Sequence, residues 1–187
     1  MPATSSPFLS ELDRHMAWTA WSWPTPLTNT EHPEHADLAV MTLALAGESG
    51  EVLACVLQWA DSGLCPEVLL FEEMGDALFC WARVAHATGY HLPEEMPPLN
   101  SQRRCSEPPV LSAARLVLGA SKVCEVVKKL NRDGQLDSIK FEAAMLETYQ
   151  AWWELCGELA LDWSAVRRAS VAKIEERHAP RLGALAL

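Results

Sequence analysis

Laid over itself with a shift of 71 residues, the chain meets its own pattern. Val52 falls on Val123, Val56 on Val127, Gly63 on Gly134, Met74 on Met145 and Trp81 on Trp152, with no gap between about 43 and 92. A fixed offset of this kind makes the repeated piece the unit of folding. Each copy reads as a helix, a break at Ser62-Gly63 or Asp133-Gly134, and a second helix. A helical hairpin alone cannot cover its apolar face, and two hairpins packed face to face make a four-helix bundle. The expected fold is all-α: two tandem helical hairpins plus terminal helices, in one globular domain.

Helices are expected over 8–21, 37–61, 67–89, 110–132, 138–160 and 163–178, the last capped by Asp162 or Ser164 and followed by Pro180. No segment alternates with a period of two, so no strand is expected. Residues 1–36 form a Trp-rich helix and loop (Trp18, Trp21, Trp23), 37–90 the first hairpin, 91–109 a connector with five prolines, and 110–180 the second hairpin with a closing helix. A length of 187 residues suits one such domain.

Residues 38–60 are apolar apart from Glu48 and Glu51, so the helix over 37–61 is expected to be buried on nearly all sides. Its length would span a bilayer, but two carboxylates near mid-depth would be very costly and no basic flank adjoins it. No membrane span is expected. The first ten residues have no basic n-region and no apolar run, so no signal peptide is expected. Six cysteines without a C-x-x-C pair read as reduced thiols of a cytoplasmic protein. The excess of 25 acidic over 15 basic side chains, a net charge of −10, argues against a protein that grips nucleic acid.

Four acids stand where acids are costly. Glu48 and Glu51 share one helical face, and so do Glu73 and Asp76 on the next helix. The turn between them makes the two helices antiparallel neighbours, so the four carboxylates can converge across one seam. Buried like charges raise each other's cost, and no basic residue follows them until Arg83. A divalent cation with oxygen ligands removes the penalty, which points to Mg²⁺ or Mn²⁺. The second copy is a control: Gly119, Lys122, Ala144 and Glu147 replace the four acids. One metal site per chain is expected, with the second hairpin as its wall.

The stretches LALAGESGEVLACVLQW and FEEMGDALFCWARVAHATGY, over 43–59 and 71–90, resemble the MazG-type all-α nucleoside triphosphate pyrophosphohydrolases. Their signature is Glu-x-x-Glu, a variable gap and Glu-x-x-Asp. A degenerate second copy, over 118–178, is similar to the dimeric dUTPase branch, and Leu57-Gln58-Trp59 is similar to the dCTPase branch, where a Trp stacks on the base. The resemblance implies hydrolysis of a nucleoside triphosphate to the monophosphate and pyrophosphate, with Mg²⁺ held by Glu48, Glu51, Glu73 and Asp76. Glu48 or Glu51 is the expected general base, and Glu72, on an outward face, the weaker choice. Homodimers or higher assemblies are implied as well. Arg83 and Lys173 are expected to meet phosphate, and Trp59, with Trp18, Trp21 and Trp23, to offer a platform for the base; His15 is a further candidate. In many relatives an Asn precedes the closing-helix lysine by three residues, where this chain has Ser170. That departure, with the decayed second half, supports a second reading: a nucleotide- or partner-binding relative without catalysis. A phosphoribosyl-ATP pyrophosphohydrolase is a third reading, which the Trp-bearing N-terminus disfavours.

Overall fold

The computed structural model describes residues 7–22, 33–93 and 108–185, with side chains placed over 11–19, 37–93 and 108–177. Six helices account for the described chain: α1 (Pro7–Ser22), α2 (Pro33–Ser62), α3 (Glu67–Thr88), α4 (Val110–Asp133), α5 (Ser138–Glu158) and α6 (Trp163–Leu185). No strand occurs among the described residues. The chain is all-α and bundle-like. Helix α2 packs against α3 and α4, α4 against α5, and α3 touches α5, while α1 and α6 both lie on α3.

The hairpins repeat each other hydrogen bond by hydrogen bond. Gly63 N–H donates to Trp59 O at 2.9 Å, and Gly134 N–H to Leu130 O at 2.8 Å, 71 residues on. Both glycines take the left-handed conformation, with φ of 72° and 70°, which ends a helix without a Cβ clash. Leu70 N–H donates to Pro66 O and Phe141 N–H to Asp137 O, each at 2.9 Å, opening α3 and α5 alike. Across the hairpins, the Trp81 indole donates to Met145 O at 3.0 Å and the Trp152 indole to Met74 O at 2.8 Å. Residue i meets residue j plus 71 while i plus 71 meets j, which is the reciprocity of a two-fold axis. The interior at this crossing is aromatic, with Tyr149 4.8 Å from Trp81 and 5.8 Å from Trp152 between ring centroids.

Three features depart from expectation. Helix α2 begins at Pro33, four residues early, and is not covered all round: Leu43 is 67% and Leu57 47% exposed. Its two neighbours α3 and α4 cover two sides and leave a third open. On length and apolar composition alone Asp37–Ser62 would suffice to cross a membrane. Helix α6 continues through Pro180 to Leu185, sacrificing one intrahelical hydrogen bond at the proline. Its start is as expected, Ser164 N–H donating to Asp162 Oδ1 at 3.0 Å.

The two-fold match has one strained point. Gly89 caps α3 with φ of 67°, and its counterpart Ala160 takes φ of 53°, the one non-glycine with positive φ among the described residues. The flanking bonds are the same: Tyr90 N–H to Ala85 O at 2.9 Å and Leu161 N–H to Cys156 O at 2.8 Å. A β-carbon in this region costs roughly 1–2 kcal/mol. Ala160→Gly is expected to stabilise the protein by about 1 kcal/mol, raising Tm by roughly 2–4 °C in a thermal melt.

Helix α1 carries a second cost. His15 is buried, stacked on Trp18 at 5.7 Å, and neither ring nitrogen has a hydrogen-bond partner. Burial first, then the neighbouring Arg167 charge, pushes its pKa down to about 4. The unfolded chain therefore takes up a proton near pH 6.5 that the folded chain refuses until about pH 4. Stability should fall as pH drops through that window, and His15→Leu should flatten this limb of a pH-dependent denaturation series.

Candidate metal centre

Helices α2 and α3 bring three carboxylates to one point. One oxygen each of Glu48, Glu73 and Asp76 lies within 4.8 Å of the others, with Glu73 buried and its two neighbours half-buried. Glu51 is exposed and stands outside this triad, but its side chain hydrogen-bonds Glu73. The expected quartet is thus a triad with one outer carboxylate. One helical turn separates Glu48 from Glu51, and only Glu48 turns fully into the seam.

The electrostatics show what this proximity costs. Burial, then the hydrogen bond to Glu51, then the charges of Glu51, Glu48 and Asp76 push Glu73 up to about 7. Burial also raises Glu48, followed by Asp76 and Glu51, against the opposing charges of Lys173 and Arg177. Two thiols flank the acids, Cys55 on α2 and Cys80 on α3. Burial and the carboxylate charges push both up, so they stay protonated and leave an all-oxygen donor set. Three carboxylate oxygens within reach of one point suit a hard divalent cation such as Mg²⁺ or Mn²⁺ and do not suit zinc.

Helix α6 supplies a cation. Lys173 Nζ lies 2.5 Å from Asp76 Oδ2, both side chains being mostly buried. The approach of α6 depends on Gly75: a Cβ there would stand 3.1 Å from the Ser170 Cβ. Ser170 is buried and its Oγ has no partner.

The other expected contacts lie elsewhere. Trp59 is only 8% exposed and belongs to the core. Eleven residues past Glu48, it shares a side of α2 but sits about 16 Å along the axis, where burying an indole is worth more than exposing it. Arg83 is about 10 Å along α3 from Asp76, half-buried, and the charge that acts on it is Asp37 near the start of α2. Neither joins the acids. Trp18 packs edge-on against Phe79. Trp23 lies outside the described residues, as does the side chain of Trp21. The proximity of Ser170 to Gly75 was not legible in the residue pattern, because it is made between α3 and α6.

The second hairpin shows the same place without a site. Lys122 and Glu147, the counterparts of Glu51 and Asp76, form an ion pair across α4 and α5. At Gly119, the counterpart of Glu48, an added Cβ would meet Thr148 Oγ1 at 2.7 Å and Thr148 Cα at 2.9 Å. The two helices pack too closely there to admit a glutamate. Lys128 and Lys129 pair with Glu125 on the exposed face of α4. The five described cysteines are free, and Cys105 is outside the described residues.

The folded Glu73 holds a proton up to about pH 7 that the unfolded carboxyl releases near 4.5. This carboxyl therefore contributes a loss of stability as pH rises from about 4.5 to 7, opposite in sign to the His15 contribution, and the loss is read in the metal-free His15→Leu protein. Mg²⁺ should reverse that loss, raising Tm at pH 7 and releasing a proton, detectable by calorimetry in buffers of different ionisation enthalpy. Glu73→Gln should remove this carboxyl's part of the slope and weaken the response to Mg²⁺.

Comparison of the chain with protein-family models, curated proteins and solved structures finds no match, so the function is argued from the geometry of the site and its motif.

Proposed function

We propose that the protein is a Mg²⁺-dependent hydrolase that splits a nucleoside triphosphate into its monophosphate and pyrophosphate. The observation that carries this reading is the convergence of Glu48, Glu73 and Asp76 in a half-buried seam, with Glu51 bonded to Glu73 and Lys173 bonded to Asp76. The Glu-x-x-Glu and Glu-x-x-Asp spacing of these acids is the one the MazG-type pyrophosphohydrolases share. Isolated carboxylates at this separation would repel, and a metal-bound triphosphate gives each of them a role.

Bound there, Mg²⁺ would neutralise phosphate charge and make a coordinated water more acidic. The chain's own groups divide the remaining work. Glu48, Glu73 and Asp76 hold the cation. Glu51, outside the triad and so not taken up in holding the cation, takes the proton of the attacking water. Water oxygen bonds to phosphorus, the bridge between the α- and β-phosphates breaks, and pyrophosphate carries away the electron pair. Lys173 exchanges Asp76 for phosphate oxygen and offsets the charge of the leaving group. An acidic protein thereby holds a polyanion through its cation rather than through a basic surface.

Incubation of the purified protein with Mg²⁺ and a panel of ribo- and deoxynucleoside triphosphates should yield monophosphate and pyrophosphate from at least one of them. Glu51→Gln should lower kcat by about 10²–10⁴, the contribution of a positioned base, with little effect on the Mg²⁺ requirement. Asp76→Asn should raise the Mg²⁺ concentration needed. A binding protein without catalysis is the second reading, favoured by Ser170 where relatives carry Asn. Its signature is a nucleotide that raises Tm in the presence of Mg²⁺ and is never consumed.

A further inference from the structure

A cavity of ≈ 650 Å³ opens between the first turns of α3 and the middle of α6. Its wall includes Val68 and Phe71, with Ala169 and Ala172 opposite. Its rim carries Glu67, Glu72 and Glu176. Ser170 and Lys173 line it as well, and they tie it to the metal centre: Lys173 bonds Asp76, and Ser170 packs on Gly75. The size falls within the roughly 300–1,000 Å³ typical of small-molecule sites. Ser170 is 3% exposed and its hydroxyl has no partner.

We propose, on the premise that the acids hold a nucleotide, that this cavity receives the nucleoside half and selects a base with an exocyclic amino group. Three carboxylates against one lysine repel phosphate, so the triphosphate is turned toward the acid triad beyond Lys173. The apolar wall takes a base, and Phe71, half-buried, is the aromatic face against which it stacks. Ionised carboxylates only accept hydrogen bonds. They match the amino group of cytosine or adenine and oppose the carbonyl that uracil and thymine carry in its place. Glu72 is the selecting acid, since it follows Phe71 directly and lies toward Asp76 on α3. The base platform is thereby Phe71, on the α6 side of α3, and not the buried Trp59.

Calorimetric titration of the full chain with dCMP and with dUMP, both with Mg²⁺, tests this. The expected result is dCMP binding about tenfold tighter than dUMP, as a site built around an N–H donor rejects the analogue lacking it. Phe71→Ala should weaken dCMP about tenfold, the loss of one stacking contact, and Glu72→Gln should bring the two ligands within about twofold. Lys122→Ala, in the second hairpin, should change neither. Melting curves establish that each variant folds; Glu72 is exposed, so Glu72→Gln serves if Phe71→Ala does not. The proposal is overturned if dUMP binds as well as dCMP, if neither binds, or if both variants keep the wild-type affinities. Triphosphate turnover is followed alongside. Turnover indifferent to both variants removes the cavity and leaves the hydrolase. Nucleotide binding that both variants weaken, without turnover, removes the hydrolase and leaves the cavity.

Discussion

Two indole hydrogen bonds hold the hairpins in register, and both anchor α3, the helix that carries two of the three acids of the candidate site. Trp81 reaches into the second hairpin and Trp152 into the first, each ending on the backbone carbonyl of a buried methionine. Such bonds are modest in net worth, about 1 kcal/mol each, but losing one leaves a buried indole N–H unpaired. They also fix direction, which the surrounding apolar packing does not. With α3 anchored to α5 through this pair, its opposite side is free to face α1 and α6, and Gly75 lets α6 come close enough for Lys173 to reach Asp76.

Two halves with the same backbone have made opposite use of the same place. In the first, glutamates and an aspartate stand close together at an electrostatic cost visible in the raised proton affinities of Glu48 and Glu73. In the second, the counterparts cancel: Lys122 pairs with Glu147, and Gly119 closes the seam against Thr148. A charge arrangement that folding alone required would be found in both. Its confinement to one half, with Lys173 beside it, is the physical ground for reading it as a ligand site.

Helix identity, the hairpin breaks and the two-copy plan were legible because they depend on short-range facts: apolar spacing, Gly63 and Gly134 at the turns, and the identities at a 71-residue offset. The acid pairs were legible for the same reason, being one helical turn apart. Distances along a helix were not so easily turned into proximity. Trp59 and Arg83 share a side with the acids and still lie too far along the axis, one in the core and the other beside Asp37. The extent of burial on α2 was overestimated, since an apolar stretch shows what a helix tolerates and not how many neighbours it receives; Leu43 and Leu57 remain exposed.

The residue pattern by itself determined an all-α chain of two hairpins and marked four acids as out of place. Only the tertiary structure decided which three of them meet, that Glu51 stands outside as their hydrogen-bonded neighbour, and that Lys173 and Ser170 arrive from a helix about a hundred residues away. The reason is the range of the forces. Helix periodicity and caps act over a few residues and leave their mark in sequence, whereas the place where α6 crosses α3 is set by Gly75 and the neighbouring packing, which no local spacing encodes.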